Sequence, residues 1–259
     1  VTVEVPQQGL VALISGGSVR QVGAQHLLVL DGSASRDLDG SSTPFGYSWS
    51  CAAVSGSASC ESVSEALYEA RLTIPKNTLP VGAYLFRLVV TKGAEFGFTA
   101  RNASVSAEVE IAAGALPTVE TSDLAQNKYN ANDGFLLVEG TATSVRPITS
   151  LWTAQESDVA EVFVVQGATA ASVANSGSAI VSLGVLTAAS SYSLRLAATD
   201  SSGVTGFSAV SFTVNAPPSS GSIVAAPPHG FALETSFKMT ALSWVDEDLP
   251  LQYVFGASS

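Results

Sequence analysis

The chain has 259 residues, a formal net charge of −11, 46% hydrophobic residues and only 13% charged ones, so its length fits about two domains of ordinary size. The 11 Lys and Arg residues are scattered with no two adjacent, which argues against a phosphate-binding surface and nucleic acid as a partner. No apolar run approaches the roughly 20 residues that cross a bilayer. Residues 1–8 carry Glu4 and no basic stretch, so no signal peptide is expected there.

Taken in chain order, short apolar or alternating runs separated by Gly, Ser, Asn, Asp and Pro predict strands over 10–14, 26–30, 46–50, 70–74, 83–91 and 104–111. In 83–91, Phe86, Leu88 and Val90 make one face apolar while Leu85 and Val89 make the other largely so, the pattern of a central strand. In 104–111, Val105, Ala107, Val109 and Ile111 alternate with Ser106, Glu108 and Glu110, as in a half-buried strand. Only 62–71 suggests a turn or two of helix.

After a junction at Gly114-Ala115-Leu116-Pro117 the pattern repeats, with strands expected over 135–139, 150–154, 160–165, 179–183, 192–199 and 209–215. The segment HLLVLDGSAS at 26–35 parallels GFLLVEGTAT at 134–143, and YSWSC at 47–51 parallels SLWTA at 150–154. The segment 81–111 likewise parallels 188–215, each with an aromatic-initiated strand, a Gly-containing turn and an alternating last strand. A second junction, at 215–221, opens a third unit with strands expected over 222–226, 236–242 and 252–255. The expected architecture is all-β, with tandem Ig-like or fibronectin-III-like β-sandwiches at 1–115 and 116–215. Residues 216–259 would form the start of a third, too short to close a core of its own.

Cys51 and Cys60 are the only cysteines, and the two histidines, His26 and His229, lie far from each other in sequence. Zinc would need two more ligands. The cysteines are therefore free thiols or a short-loop disulfide, and the disulfide is the preferred reading, implying an oxidising compartment.

The stretch LDGSASRDLDG…YSWSC at 30–51 resembles the start of the REJ (receptor for egg jelly) module and, more loosely, the PKD type of Ig-like domain. Residues 215–255 resemble REJ more fully, through Pro217, Pro218 and Gly221, then Ala232, Leu233, Thr235 and Phe237, then Trp244 and Asp246, then Pro250, Leu251, Tyr253 and Phe255. The cysteine that such modules often carry ahead of the Trp-x-Asp is absent from 239–243. The resemblance implies a run of Ig-like domains in a large extracellular protein of the polycystin-like, sperm egg-jelly receptor or flagellar surface kind. It implies partners among other surface or filament proteins, glycans or a polycystin-type channel.

No catalytic constellation accompanies these features. Gly-x-Ser-x-Gly is absent, and neither His26 nor His229 has a nucleophile nearby in sequence, so no enzyme is expected. Asp31, Asp37 and Asp39, and again Asp246, Glu247 and Asp248, offer oxygens that Ca²⁺ takes. Aspartates so spaced also make plain turns, and the turn is the preferred reading, with no cofactor expected. Trp49, Trp152 and Trp244 are expected in sandwich cores. Asn102 heads the chain's one Asn-x-Ser/Thr sequon and is expected to be an accessible glycan acceptor in a polar turn. The functional expectation is a non-catalytic structural or adhesive segment of a cell-surface, ciliary or flagellar protein. The alternative is a ligand-binding or force-sensing ectodomain.

Overall fold

The computed structural model describes residues 8–40, 43–63, 68–94, 99–155, 162–165, 168–170, 172–175, 177–231, 233–248 and 251–256. Its first strands are β1 (Leu10–Val11), β2 (Val19–Gly23), β3 (Leu28–Asp31), β4 (Arg36–Asp37), β5 (Gly46–Gly56), β6 (Arg71–Ile74), β7 (Gly82–Lys92) and β8 (Arg101–Ala112). Then follow β9 (Thr118–Thr121), β10 (Lys128–Tyr129), β11 (Phe135–Thr143), β12 (Ile148–Ala154), β13 (Phe163–Val165), β14 (Ala168–Ala170), β15 (Ser172–Ala174), β16 (Ser178–Ser182), β17 (Ser191–Asp200) and β18 (Thr205–Val214). The last two are β19 (Ser222–Ala226) and β20 (Lys238–Leu242), and two 3₁₀ turns are the only helical elements among the described residues.

The chain is all-β, and its strands build two sandwiches. In the first, β5, β7 and β8 form one layer and the β3–β6 pair the other. Leu30, Trp49, Leu72, Tyr84, Phe86 and Leu88 fill the space between the layers. In the second, β12, β17 and β18 face β13, β16, β11 and β9. Trp152, Phe163, Val181, Leu194, Leu196 and Phe212 fill that core. The even positions of β7, from Tyr84 to Val90, are buried because side chains on a strand alternate between faces. The same phase rule buries Tyr192, Leu194, Leu196 and Ala198 on β17.

The two sandwiches repeat in register. Trp49 on β5 lies opposite Leu88, and Trp152 on β12 lies opposite Leu196. A glycine sits under each pair. A Cβ on Gly32 would collide with Leu88 and touch Trp49, and one on Gly140 would meet Leu196 at 2.6 Å and Trp152 at 2.9 Å. That close approach explains the glycine in both LDGSAS and VEGTAT. Each sandwich also ties the start of its long strand to the loop before it. Tyr84 donates to the Pro80 carbonyl at 2.8 Å, while the Tyr192 hydroxyl accepts from the Thr187 N–H at 2.8 Å. This is the tyrosine corner of Ig-like sandwiches.

Several expectations need correction. Trp244 is only half-buried, because β19 and β20 form a two-stranded sheet with no second layer over it among the described residues. For the same reason Ile223, Val224, Phe237 and Met239 are exposed. Residues 252–255 carry no strand. The strand expected at 104–111 begins at Arg101, so Asn102 stands on β8 rather than in a turn, although it is exposed as expected. Residues 64–67 of the expected helical turn, 160–161 of an expected strand, and Ala232 and Pro250 lie outside the described residues.

Candidate functional site

The seam between the sandwiches is formed by a strand with little apolar alternation. β2 runs parallel to β8 of the first sandwich, with Val19 opposite Glu108 and Gly23 opposite Ala112. On its other side it pairs antiparallel with β18 of the second, Arg20 opposite Ser208 and Val19 opposite Ala209. One sheet of nine strands therefore passes through both sandwiches, in the order β15-β12-β17-β18-β2-β8-β7-β5 with β10 beside β18.

Hydroxyls and glycines close the seam. The Ser18 N–H donates to the Ala209 carbonyl at 2.8 Å, and the buried Ser208 hydroxyl donates to the Gly16 carbonyl at 2.9 Å while lying 3.0 Å from Thr121 Oγ1. Gly17 has φ +98°, and a Cβ there would run into Ser208 Oγ, Thr121 Oγ1 and the Ala209 carbonyl. Only glycine satisfies both the left-handed backbone and the close approach. Further out, Ser15 donates to Asp123 at 2.6 Å and Arg36 to the Ala125 carbonyl at 2.6 Å. Arg20, 5% exposed, donates to the Ser15 carbonyl at 2.9 Å, while its Nε has no partner among the described residues. Burial pushes the Arg20 guanidinium pKa down, and Glu120 and Asp123 oppose that shift. Above the seam lies a groove of about 670 Å³, whose acidic lining is Glu120, Asp123 and Glu139.

A second polar feature recurs in each sandwich. In the first, Asp37 receives Lys92 at 2.9 Å and Arg101 at 2.9 Å, and Arg101 also reaches Asp39 at 2.6 Å. The Lys92 and Asp37 side chains are 3% and 4% exposed. Burial alone would raise the Asp37 pKa, but hydrogen bonds from Lys92 and Arg101 hold it well below the usual carboxylate range. In the second sandwich, Asp200 occupies the place of Lys92 at the end of β17 and pairs with Arg146 at 3.2 Å. Hydrogen bonding from Ser202 is the largest influence on Asp200, outweighing burial and lowering its pKa from 3.8 to about 2.

The aspartates considered for calcium are thus dispersed among cations and turns. Asp31 pairs with Arg71 at 2.6 Å and Asp248 with Lys128 at 2.9 Å, while Asp246 accepts the Asp248 N–H at 2.8 Å in a turn. Asp37 and Asp39 share Arg101. Among the described residues, no group of three or more His, Cys, Asp or Glu could hold a metal ion. Cys51 and Cys60 form a disulfide. His26 Nδ1 lies 3.5 Å from Thr118 Oγ1, and His229 is exposed.

The buried ion pairs were missed in the sequence, though a signal exists. Lys92 and Asp200 each continue the buried phase of an apolar strand, Tyr84-Phe86-Leu88-Val90-Lys92 and Tyr192-Leu194-Leu196-Ala198-Asp200. A charge in that phase requires a buried counter-charge.

A family model described as the REJ domain matches residues 1–259. The chain belongs to the REJ domain family. Among solved structures, this REJ chain is similar to a 1.5-MDa bacterial ice-binding adhesin, at 13% identity and TM-score 0.25 over 85% of this chain and 69% of that one. It is also similar to murine CEACAM1b, at 10% identity and TM-score 0.26 over 79% and 99% of the two chains. Drosophila OTK extracellular domains 3–5 match at 10% identity and TM-score 0.27 over 95% and 83%. Identities and scores this low carry no functional argument. REJ membership and the disulfide agree with a non-catalytic extracellular segment of adhesive type. No helix among the described residues is long and apolar enough to cross a membrane.

Proposed function

We propose that this REJ chain is a stiff extracellular spacer that holds adhesive surfaces at a fixed spacing and orientation. It consists of sandwiches at 1–115 and 116–215, with 216–259 contributing the start of a third. The observation that carries this reading is β2, bonded to the last strand of both sandwiches. A flexible linker lets neighbouring domains reorient at little energetic expense. Here, bending must break sheet hydrogen bonds and expose Ser208 and Thr121. The setting is a cell-surface, ciliary or flagellar protein with other surface or filament proteins as partners, and Asn102 is its glycan acceptor.

Small-angle scattering on Gly17→Val tests the spacer. The wild type should fit one rigid envelope, and the variant a distribution of interdomain angles while each sandwich keeps its own melting transition. A wild type already as variable as Gly17→Val would refute the reading. A second reading, a ligand-binding or force-sensing ectodomain, is favoured by the acidic groove that spans the seam. Single-molecule pulling separates the two, because a sensor opens its seam at forces well below those that unfold either sandwich.

A further inference from the structure

We infer that β5 is a docking edge for a second copy of this chain, which pairs antiparallel with it and extends the nine-stranded sheet across a two-fold axis. β5 ends that sheet. It is 11 residues long, roughly 35 Å of strand. Its inner side is bonded to β7, but among the described residues no backbone group pairs with its outer side between Tyr47 and Val54. The second sandwich shows what this position accepts. β12 is the counterpart of β5, placing Trp152 as β5 places Trp49, and its outer side is covered by β15, with Leu151 opposite Ala174 and Thr153 opposite Ser172. Among the described residues, no strand takes the same place in the first sandwich.

The chemistry of β5 selects a copy of itself. Exposed edge strands in soluble proteins are commonly blunted by charge or Pro, yet Gly46–Gly56 contains neither, in a chain of net charge −11. Two such edges meet without like-charge repulsion. Pairing centred on Ser50 places Ser50 opposite Ser50 and Ser48 opposite Ala52, all exposed, small and on one face. The bulge between Ala53 and Ser55 ends the pairing at one side. The Cys51–Cys60 bond holds the segment after β5 in place, so the edge is ordered before it pairs. A two-fold contact of this kind is self-complementary and closes at two copies.

The inference stands apart from the spacer reading, since a flexible seam would leave β5 unchanged. Sedimentation velocity over a wide dilution series tests it, using the whole chain, Ser50→Lys, and Ser106→Lys, which places a charge on the exposed face of β8 away from the edge. The wild type should show a monomer–dimer equilibrium. Ser50→Lys sets two ammonium groups opposite each other at the axis and should weaken it about tenfold, with an unchanged circular dichroism spectrum. Ser106→Lys should dimerise like the wild type. A wild type that is monomeric throughout, a Ser50→Lys dimer of undiminished strength, or equal weakening by Ser106→Lys would each overturn the edge contact.

Discussion

The two sandwiches share a frame and differ in how they fasten it. Both set a tryptophan over a leucine and a glycine, and both anchor the following strand by a tyrosine hydroxyl. At the far end of that strand the first uses Lys92 against Asp37 and the second uses Asp200 against Arg146, the same ion pair with its polarity reversed. The first also carries a disulfide. Apolar shape at a few registered positions therefore defines the fold, while the sign of a buried charge is free as long as its partner is opposite. Burial distinguishes the pairs as well. Asp37 and both its cations are nearly enclosed, whereas the Arg146 side chain is 54% exposed.

The shared frame should break first at its tryptophans. Trp49→Ala and Trp152→Ala should each cost about 3–5 kcal/mol, read by denaturant unfolding, because removing a large buried side chain leaves a cavity over the glycine. If either lost less than half of that, the repeat of Trp, Leu and Gly would not be what specifies the core. Next comes the fastening the second sandwich lacks. Cys51→Ser with Cys60→Ser should lower the stability of the first sandwich alone by about 2–3 kcal/mol, following closure of a loop of about ten residues.

Reversing the ion pair sharpens the comparison. Asp200→Lys should destabilise the second sandwich, and adding Arg146→Asp should recover only the part owed to the ion pair, because an ammonium cannot accept the Ser202 and Val204 N–H groups that Asp200 holds. Asp37→Asn should lower the melting temperature more than Asp200→Asn, because it removes a carboxylate shared by two enclosed cations, although Arg101 keeps Asp39, whereas Asp200 faces one half-exposed guanidinium. The smallest effect is the response to acid. Both aspartates have depressed pKa values in the fold, so the stability they add is full above the ordinary value of 3.8 and is lost as pH falls through the folded value. For Asp200 that window runs from 3.8 down to about 2. Asp37 lies lower still, so the pair in the second sandwich should weaken first on acidification. Titrating unfolding free energy with Asp200→Asn as control should show that slope flattened.

What the sequence revealed follows from how local each signal is. Trp49 and Trp152 were legible because their strands alternate and their partners repeat. Trp244 has the same chemistry, yet its burial depends on a second layer, which no local pattern reports. β2 escaped notice because Arg20 and Gln21 interrupt its apolar phase, and what makes it a strand is backbone pairing on both sides. The carboxylates at Asp37 and Asp39 were visible as oxygens, but the cations that claim them come from β7 and β8, with Lys92 55 residues beyond Asp37.

The position of β2 has a consequence for how the chain is made. Val19 pairs with Ala209, so one side of an early strand waits for a partner 190 residues further along. At roughly 5–20 residues per second of synthesis, about 10–40 s pass between the two. During that interval the N-terminal sandwich can complete its β2–β8 pairing while presenting an open margin to the ribosome exit and to neighbouring nascent chains. The second sandwich then finishes against a surface already formed, with its last strand growing on the template that the first provides.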